Sequence, residues 1–460
     1  FAKLRTKSIM ASDALDDTPE FIERAVGEAL LARSISLDTF SALGPEDLCC
    51  LVKSYERAWL PTDVASLPPM GYYHWVVGAD VSCAAAVSTY FDGLLRKQQA
   101  SSWYASGQYK IKSATFCLYN AFQKVDVRCE ASFPGTMKVF MLDGKGIRSE
   151  VTEEIWQQAY MSSVLRSLNR LPKLQCLKLL PILPTVASEK LFTDLTKTLF
   201  WKGRALGCDP SSGAHDICNN WLTVSVNSYY TNLCRYEQLV QLFEPLSAAE
   251  PSMVGHVAVA MHKLGRASEA QAMLDAAIAK DPTLGPLLCA QAEILLMSGQ
   301  DKQAVNCTRE AVRLCPSDVR AWALMIQAYG KLKAWDTMLM LLNEAPLKDF
   351  RPAVTATGAP RPHQRTYPPV RPDPARIDLD PREEEEEGLF DGAQPPEDLP
   401  AANLTEPWLG AYNMLVEAMN HIGWDKLLEI RAAVFLMRED VEQHNKEQQA
   451  AAAAAAAAAA

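Results

Sequence analysis

The chain has 460 residues, of which 48% are hydrophobic, and its formal net charge is −10 at pH 7. A single compact core stops growing at about 250–300 residues, so this length predicts several domains or an extended array of repeats. The acidic balance, without a basic patch that interleaves aromatic residues, argues against nucleic acid as a partner. No apolar run is long enough for a membrane-spanning helix and the first residues lack the core of a secretory signal, so we expect a cytoplasmic protein.

The first region, residues 13–108, is predicted to be helical. Pro19 stands at the first position of one helix, because capping residues precede it and apolar residues follow at helical spacing. A second helix is predicted to begin at Pro45, and the small residues from Ser82 to Val87 lead into a third. The second helix would carry its apolar face at Leu48, Leu51, Val52 and Tyr55.

Residues 109–148 have the pattern of strands. Hydrophobic and charged residues alternate from Val125 to Glu130, and the run from Met137 to Leu142 ends at a turn dipeptide. We therefore expect three or so strands that form a small β element. The Gly-Lys-Gly sequence that follows favours a turn over a phosphate-binding loop, because it is too short to cradle a phosphate.

The helical period returns over residues 149–250. Prolines interrupt the leucine-rich stretch from Leu171 to Leu183 and prevent one long helix there. The sequence WLTVSVNSYYTNLCRYEQLVQLFEPL then predicts a degenerate helix pair, whose register departs by a few residues from the repeats that follow it.

Residues 251–345 repeat with a period of thirty-four residues. Small alanines let paired helices approach closely, glycine allows the turn between them, and proline stops the second helix. This is the pattern of tetratricopeptide (TPR) repeats, so we predict a mainly α fold: a TPR-type helical solenoid with a small β-sheet element inserted in the N-terminal half. The repeat positions are Gly265 and Gly299, Ala270 and Ala304, Ala277 and Ala311, and Pro282 and Pro316, and the third copy has the aromatic residues Trp322 and Tyr329. We expect Ala277 and Ala311 in the tight contact between paired helices.

Residues 346–407 are rich in proline and carry five consecutive glutamates, Glu383 to Glu387, so we predict a disordered loop. A last helical unit is predicted over 408–442. Its first helix has one apolar face, and Gly423 separates it from a second helix. The face of the first helix consists of Trp408, Tyr412, Leu415, Met419 and Ile422. The polyalanine of 450–460 is set aside as unassigned sequence or an artefact.

No residue pattern predicts catalysis, a metal or a cofactor. The sequence lacks the common hydrolase, zinc-protease and nucleotide-binding motifs, and its twelve cysteines form no C-x-x-C pair. Cys208, His215 and Cys218 match no common zinc spacing, which favours a polar loop. At the start of the chain, Lys3, Leu4, Arg5 and Lys7 form a basic and apolar sequence. It is either a solvated terminus or a weak contact with an anionic membrane, since each cation contributes only about 1 kcal/mol near such a surface.

Three segments outside the repeats resemble the ChAP family, the TPR subunits of the fungal exomer complex. They are YKIKSATFCLYNAFQKVDVRCEASFPG, the helix-pair sequence WLTVSVNSYYTNLCRYEQLVQLFEPL and the ending GWDKLLEIRAAVFLMRED. The resemblance covers most of residues 13–442, and the order of β segment, repeats, variable loop and helical ending is similar to that of the family. Within the ending, Trp424, Asp425, Leu428 and Phe435 are the candidate partner-binding residues.

The resemblance implies a cargo adaptor with no catalytic residue. It implies a hetero-oligomer with an exomer scaffold subunit, an Arf-type GTPase as recruiting partner, and transmembrane cargo such as chitin synthase. The expected location is the cytoplasmic surface of the trans-Golgi network membrane, where the protein is peripheral. The alternative is a TPR co-chaperone or a general assembly scaffold, although the inner helix positions of the repeats offer mostly apolar residues and not a clamp for a peptide carboxylate.

Overall fold

The computed structural model describes residues 20–56, 68–100, 108–169, 177–208, 216–346 and 408–435. The chain divides into two compact units. The described part of the first unit ends at Arg235, and that of the second begins at Tyr236. The mainly helical fold with a sheet in the N-terminal half is confirmed.

The first unit is built on an eight-stranded sheet. Its strands are β1 (Phe21–Ile22), β2 (Asp47–Glu56), β3 (Met70–Val77), β4 (Gln108–Asn120), β5 (Val125–Ser132), β6 (Met137–Leu142), β7 (Arg148–Ser149) and β8 (Leu177–Leu179). The order is β1-β3-β2-β4-β5-β6-β7, and β8 also pairs with β3. Among the described strands, the pairing of β8 with β3 is parallel and the other pairings are antiparallel.

The helices of this unit cover both faces of the sheet. They are α1 (Glu28–Ile35), α2 (Ala84–Ala100), α3 (Glu153–Leu168), α4 (Val186–Leu199) and α5 (Trp221–Asn232). On one face, Ala29 of α1 packs in a cluster with buried residues of the central strands, including Leu48 and Trp75. On the other face, Tyr90 of α2 contacts Phe116 edge to face. The side-chain amide of Asn120 donates to the side-chain oxygen of Gln158 of α3 at 3.0 Å, so α3 lies on that second face as well.

The predicted helix at Pro45 is wrong, because residues Asp47–Glu56 form the central strand β2. Leu48, Cys49, Cys50 and Leu51 are all buried. A strand that is buried on both faces shows no alternation of hydrophobic and polar residues, and periodicity alone does not separate it from a buried helix.

Two further expectations for the first region are corrected. Phe21 lies in strand β1 and not in a helix that starts at Pro19, and the helix α1 begins only at Glu28. The described part of region 13–108 therefore contains the strands β1, β2 and β3 beside the helices α1 and α2, and the described sheet has eight strands instead of three or so. The helix expected after the small residues at 82–87 is present as α2.

The second unit consists of helices. They are α6 (Tyr236–Ser247), α7 (Val254–Lys263), α8 (Ala267–Lys280), α9 (Gly285–Met297), α10 (Asp301–Leu314), α11 (Val319–Lys331), α12 (Trp335–Glu344), α13 (Trp408–Ile422) and α14 (Trp424–Val434). Within 251–345 the chain forms three helix pairs, α7 with α8, α9 with α10 and α11 with α12, and the members of each pair are in contact. The first helices of successive pairs also contact one another.

The turns inside the helix pairs share one backbone conformation. Gly265 and Gly299 have positive φ angles of 82° and 72°, and Lys333 holds the equivalent position with φ 60°. At each turn the amide of the next residue donates to a carbonyl five residues earlier, as in the Schellman motif that ends many helices. The third copy therefore keeps the turn without the glycine that favours it.

Candidate partner-binding surface

The small residues at the repeat positions lie between helices, but they are not equally buried. Ala270, Ala304 and Ala311 have no exposed surface. Ala277 is only partly buried, so a larger side chain has more room there than at Ala311. Ala304 and Ala311 belong to the apolar cluster that joins α9, α10 and α11.

The prolines and aromatic residues of the repeats mark the helix ends and the third pair. Pro282 and Pro316 follow the last residues of α8 and α10 by two positions. The indole of Trp322 donates to the carbonyl of Pro316 at 2.8 Å. Arg309 of α10 donates to the hydroxyl of Tyr329 at 2.9 Å. Both aromatic residues therefore tie α11 to the preceding pair.

An ion pair joins the first helices of the second and third pairs. Arg320 of α11 donates to the carboxylate of Glu293 on α9 at 2.8 Å. Burial raises the pKa of the Glu293 carboxyl, but the attraction of Arg320 outweighs it, so the pKa lies below its usual value. Lys331 donates to the carbonyl of Leu296 at 2.6 Å, which adds a second link between the same helices. Arg320 and Lys331 of α11 therefore both bind acceptors on α9 and hold the two helices together.

Helices α13 and α14 pack against the third helix pair. Ala411, Ala418 and Leu427 are buried in one cluster with Trp335 and Leu339 of α12. The ring of His421 stacks on Trp335 with 5.8 Å between the centroids. The last predicted helical unit therefore completes the apolar core of the repeats, although the chain between 347 and 407 lies outside the described residues.

The four candidate residues of the ending are placed differently. Trp424 begins α14 and is 59% exposed, and Leu428, one turn later, is 37% exposed. Asp425 is exposed in the first turn of the helix, where a carboxylate interacts favourably with the helix dipole. Phe435 follows the helix and packs partly against the cluster. Trp424, Asp425 and Leu428 therefore form an exposed surface, which we call the α14 surface, and Phe435 supports it from the inner side.

The composition of the α14 surface suits a protein partner. Trp424 and Leu428 are four residues apart on one helix, so their side chains are neighbours. Tryptophan is enriched among residues that contribute most to protein interfaces. Sequence reasoning could nominate these residues but could not tell that Leu427 is buried while Leu428 faces solvent, because this depends on the contact with α12.

The first unit contains buried charges that are paired. Arg33 of α1 and Arg128 of β5 both donate to the carboxylate of Asp126, at 2.9 and 3.0 Å. Burial raises the pKa of the Asp126 carboxyl, but the two guanidinium groups outweigh it and the pKa is lowered. Arg166 of α3 donates to Asp47 of β2 at 2.7 Å in a second pair. These pairs fix α1 and α3 to opposite faces of the sheet.

Two buried titratable groups of this unit, His74 and Cys117, are held in their neutral forms. Burial lowers the pKa of His74 to about 4, and its Nε2 lies 2.7 Å from the hydroxyl of Tyr90. Burial raises the pKa of the Cys117 thiol to about 12. Neither group is prepared to act as a base or a nucleophile at neutral pH.

The described residues include no group of side chains placed to hold a metal ion. Cys208 and Cys218 are both buried, and the backbone of Cys208 pairs with Asn220 in an isolated bridge. His215 lies outside the described residues.

The basic and apolar residues at the start of the chain, Lys3, Leu4, Arg5 and Lys7, also lie outside the described residues, so their contact with a membrane stays a prediction. None of the helices in the described ranges is long and apolar enough to cross a bilayer.

Comparison with known proteins gives relatives over most of the chain. It is 28% identical over 451 residues to an uncharacterized protein of Schizosaccharomyces pombe, which covers 95% of this chain and 67% of that protein. It is 24% identical over 427 residues to Bud site selection protein 7 of Saccharomyces cerevisiae, covering 83% of this chain and 57% of the relative. The chain therefore spans between about half and two thirds of the length of these relatives.

Solved structures show the same fold. The chain matches the Chs5-Bch1 exomer cargo adaptor complex with a TM-score of 0.67 and 19% identity, over 91% of this chain and 69% of the other. It matches the Chs5-Chs6 exomer complex bound to a portion of Chs3 with a TM-score of 0.64 and 17% identity, over 92% and 75%. Those proteins are subunits of adaptor complexes.

The family model of the ChAPs, the Chs5p-Arf1p-binding proteins, matches residues 68–442. This range contains most of the sheet, the helix pairs and the last two helices. It confirms the resemblance carried by the three segments, and the chain belongs to the ChAPs family.

Proposed function

We propose that this chain is a cargo-adaptor subunit that binds a scaffold subunit, an Arf-type GTPase and the cytoplasmic tails of transmembrane cargo. The observation that supports this proposal is the family match over residues 68–442, which spans both units. In this proposal the protein is peripheral on the cytoplasmic surface of the trans-Golgi network, and chitin synthase is one cargo. The helix pairs of residues 251–345 are TPR repeats.

Recruitment depends on several weak contacts acting together. Each contact alone, to membrane, GTPase or cargo tail, leaves the protein mostly free, but the first contact raises the effective concentration for the next. The adaptor therefore stays on the membrane only where all partners are present. No bond is made or broken by the protein.

We assign the scaffold contact to the α14 surface. Trp424 and Leu428 are exposed there, and a partner that covers them removes apolar surface from water at about 25 cal/mol per Å². The helix is fixed from below by Leu427, so its surface is preorganised for binding and little conformational entropy is lost.

Affinity purification from the native cell tests the proposal. The protein should co-purify with a scaffold subunit and an Arf-type GTPase, which mass spectrometry identifies. Recovery of chaperones as the main partners, with neither of these two, would replace the adaptor by the co-chaperone alternative.

A further inference from the structure

Strand β6 is paired along its whole length on one side only. It pairs with β5 from Met137, opposite Ala131, to Leu142, opposite Asp126. On its other side β7 pairs only with Met141 and Leu142. Among the described residues no strand pairs with the outer side of Met137 to Phe140, which we call the β6 edge.

The β6 edge offers free backbone hydrogen-bonding groups. In an antiparallel sheet, alternate residues of a strand direct their N–H and C=O groups to opposite sides. Over four residues the edge therefore presents unpaired donors and acceptors to its outer side. Such an edge is a template for another extended chain, and domains that recognise peptides by strand addition use this geometry.

The side chains of the β6 edge separate into an apolar row and a basic row. Met137 and Val139 share one face of the sheet and are partly buried. Lys138 and Phe140 share the opposite face, where Lys138 is exposed. The guanidinium of Arg148 in β7 lies over the ring of Phe140 at 4.3 Å, so it adds a second cation to that row.

We propose that the β6 edge binds an extended segment of another protein in which apolar and acidic side chains alternate. The apolar side chains of the added strand cover Met137 and Val139 on one face. The acidic side chains pair with Lys138 and Arg148 on the other, since opposite charges on neighbouring strands stabilise a sheet. Neither the family match nor the proposed function assigns this edge, and the inference is independent of both.

The charges also argue against a second copy of this chain as the occupant. Pairing of two β6 edges would place Lys138 and Arg148 of both copies in one row, and like charges across a ladder are destabilising. Lysine on an edge strand discourages such self-pairing in many proteins. Glu130 of β5 stands directly opposite Lys138 and moderates its charge without removing the second cation.

A labelled peptide and the full chain test this assignment. The probe is a fluorescein-labelled peptide with the sequence Val-Glu-Val-Glu-Val-Thr, and its binding is measured by fluorescence anisotropy. Saturable binding is expected, with increased protection of the amides of Met137 to Phe140 in hydrogen exchange. An analogue with N-methylated peptide bonds keeps the side chains but cannot donate hydrogen bonds, so it should not bind.

Two variants separate charge recognition from folding. Lys138→Gln should weaken binding of the acidic peptide roughly 1.4- to fivefold, because a cross-strand ion pair contributes about 0.2–1 kcal/mol. Lys138→Glu should weaken it further and should favour the matching peptide with lysine in place of glutamate. The control Lys197→Glu changes an exposed cation on α4 and should leave the affinity unchanged.

Three results would overturn the proposal. They are absence of peptide binding at any concentration, equal affinity of Lys138→Gln and the unaltered chain, and binding without protection at the β6 edge. Protection at this edge that rises with protein concentration alone would show that a second copy is the occupant.

Discussion

Replacement of Trp424 by alanine should separate partner binding from folding. The indole is 59% exposed, so its loss should change the free energy of unfolding by less than about 0.5 kcal/mol. The neighbouring residue Leu427 is 7% exposed and packs in the cluster with Leu339 and Ala418. Leu427→Ala should therefore cost about 2–3 kcal/mol through lost burial and a cavity.

The two variants should affect the scaffold contact differently. An exposed tryptophan that anchors an interface contributes about 2 kcal/mol or more, so Trp424→Ala should raise the Kd for the scaffold subunit roughly thirtyfold. Leu427→Ala keeps the exposed indole, so at temperatures where it remains folded it should lose less affinity than Trp424→Ala. Leu428→Ala should weaken binding with a smaller loss of stability than Leu427→Ala, because Leu428 is 37% exposed.

Denaturant unfolding and titration calorimetry with the purified scaffold subunit measure both quantities. Tyr412→Ala is a matched control, since Tyr412 is an exposed aromatic residue on α13. Our assignment of the α14 surface is refuted if Trp424→Ala binds the scaffold subunit as tightly as the unaltered chain. It is also refuted if Trp424→Ala loses as much stability as Leu427→Ala, because the indole would then be a core residue.

Three other predictions concern the stability of the two units, each measured by denaturant unfolding. Lys333→Gly should stabilise the chain by about 0.5–1 kcal/mol and Gly299→Ala should destabilise it by a similar amount, because both positions lie in left-handed turns. A Cβ at Gly299 would meet nothing within 4 Å, so the cost there comes from the backbone alone; effects of the same sign for the two substitutions would disprove the shared turn. Asp126→Asn should cost about 3–5 kcal/mol, because it leaves Arg33 and Arg128 buried without a counter-charge, and a loss below 1 kcal/mol would contradict the pairing. Burial raises the pKa of Glu46 from 4.5 to about 7, so the folded state binds the extra proton between these values and the free energy of unfolding falls as pH rises through that window. The free energy of unfolding of Glu46→Gln should therefore exceed that of the unaltered chain by about 1–2 kcal/mol near pH 8, after allowance for partial solvent exposure, and the difference should vanish below about pH 4.

The helix pairs of residues 251–345 could be predicted because their signals are local. Gly265 and Gly299 mark turns that need a positive φ angle, and Ala270 and Ala304 mark close contacts with no room for a larger residue. Spacing along the sequence then gives the helix pairs. The pair α13 and α14 was predictable for the same reason, since Gly423 separates two apolar faces.

The sheet was underestimated because its central strands hide their pattern. Tyr73, Trp75 and Val76 are all buried, so strand β3 is covered on both faces. Strand β2 beside it is buried in the same way. Their side chains do not alternate, and their partners are distant in sequence: Cys49 pairs with both His74 and Phe116. Strand β5 has charged residues in alternation, but there the charge of Asp126 is buried and paired with Arg33.

The candidate surfaces depend on tertiary contacts in the same way. The sequence after Gly423 nominated Trp424 and Leu428, but the burial of Leu427 and the exposure of Leu428 follow from packing on α12. The β6 edge could not be found from the sequence, because an edge is defined by the absence of a neighbour along Met137 to Phe140 in the described sheet.

Sedimentation with liposomes tests most directly whether this chain is an adaptor recruited by several partners. The chain and its scaffold subunit are mixed with anionic liposomes, with and without GTP-loaded Arf. We predict that the chain pellets only when the scaffold subunit and the GTP-loaded Arf are both present, because no single contact is strong enough alone. Equal pelleting of the isolated chain without the GTPase would contradict this account.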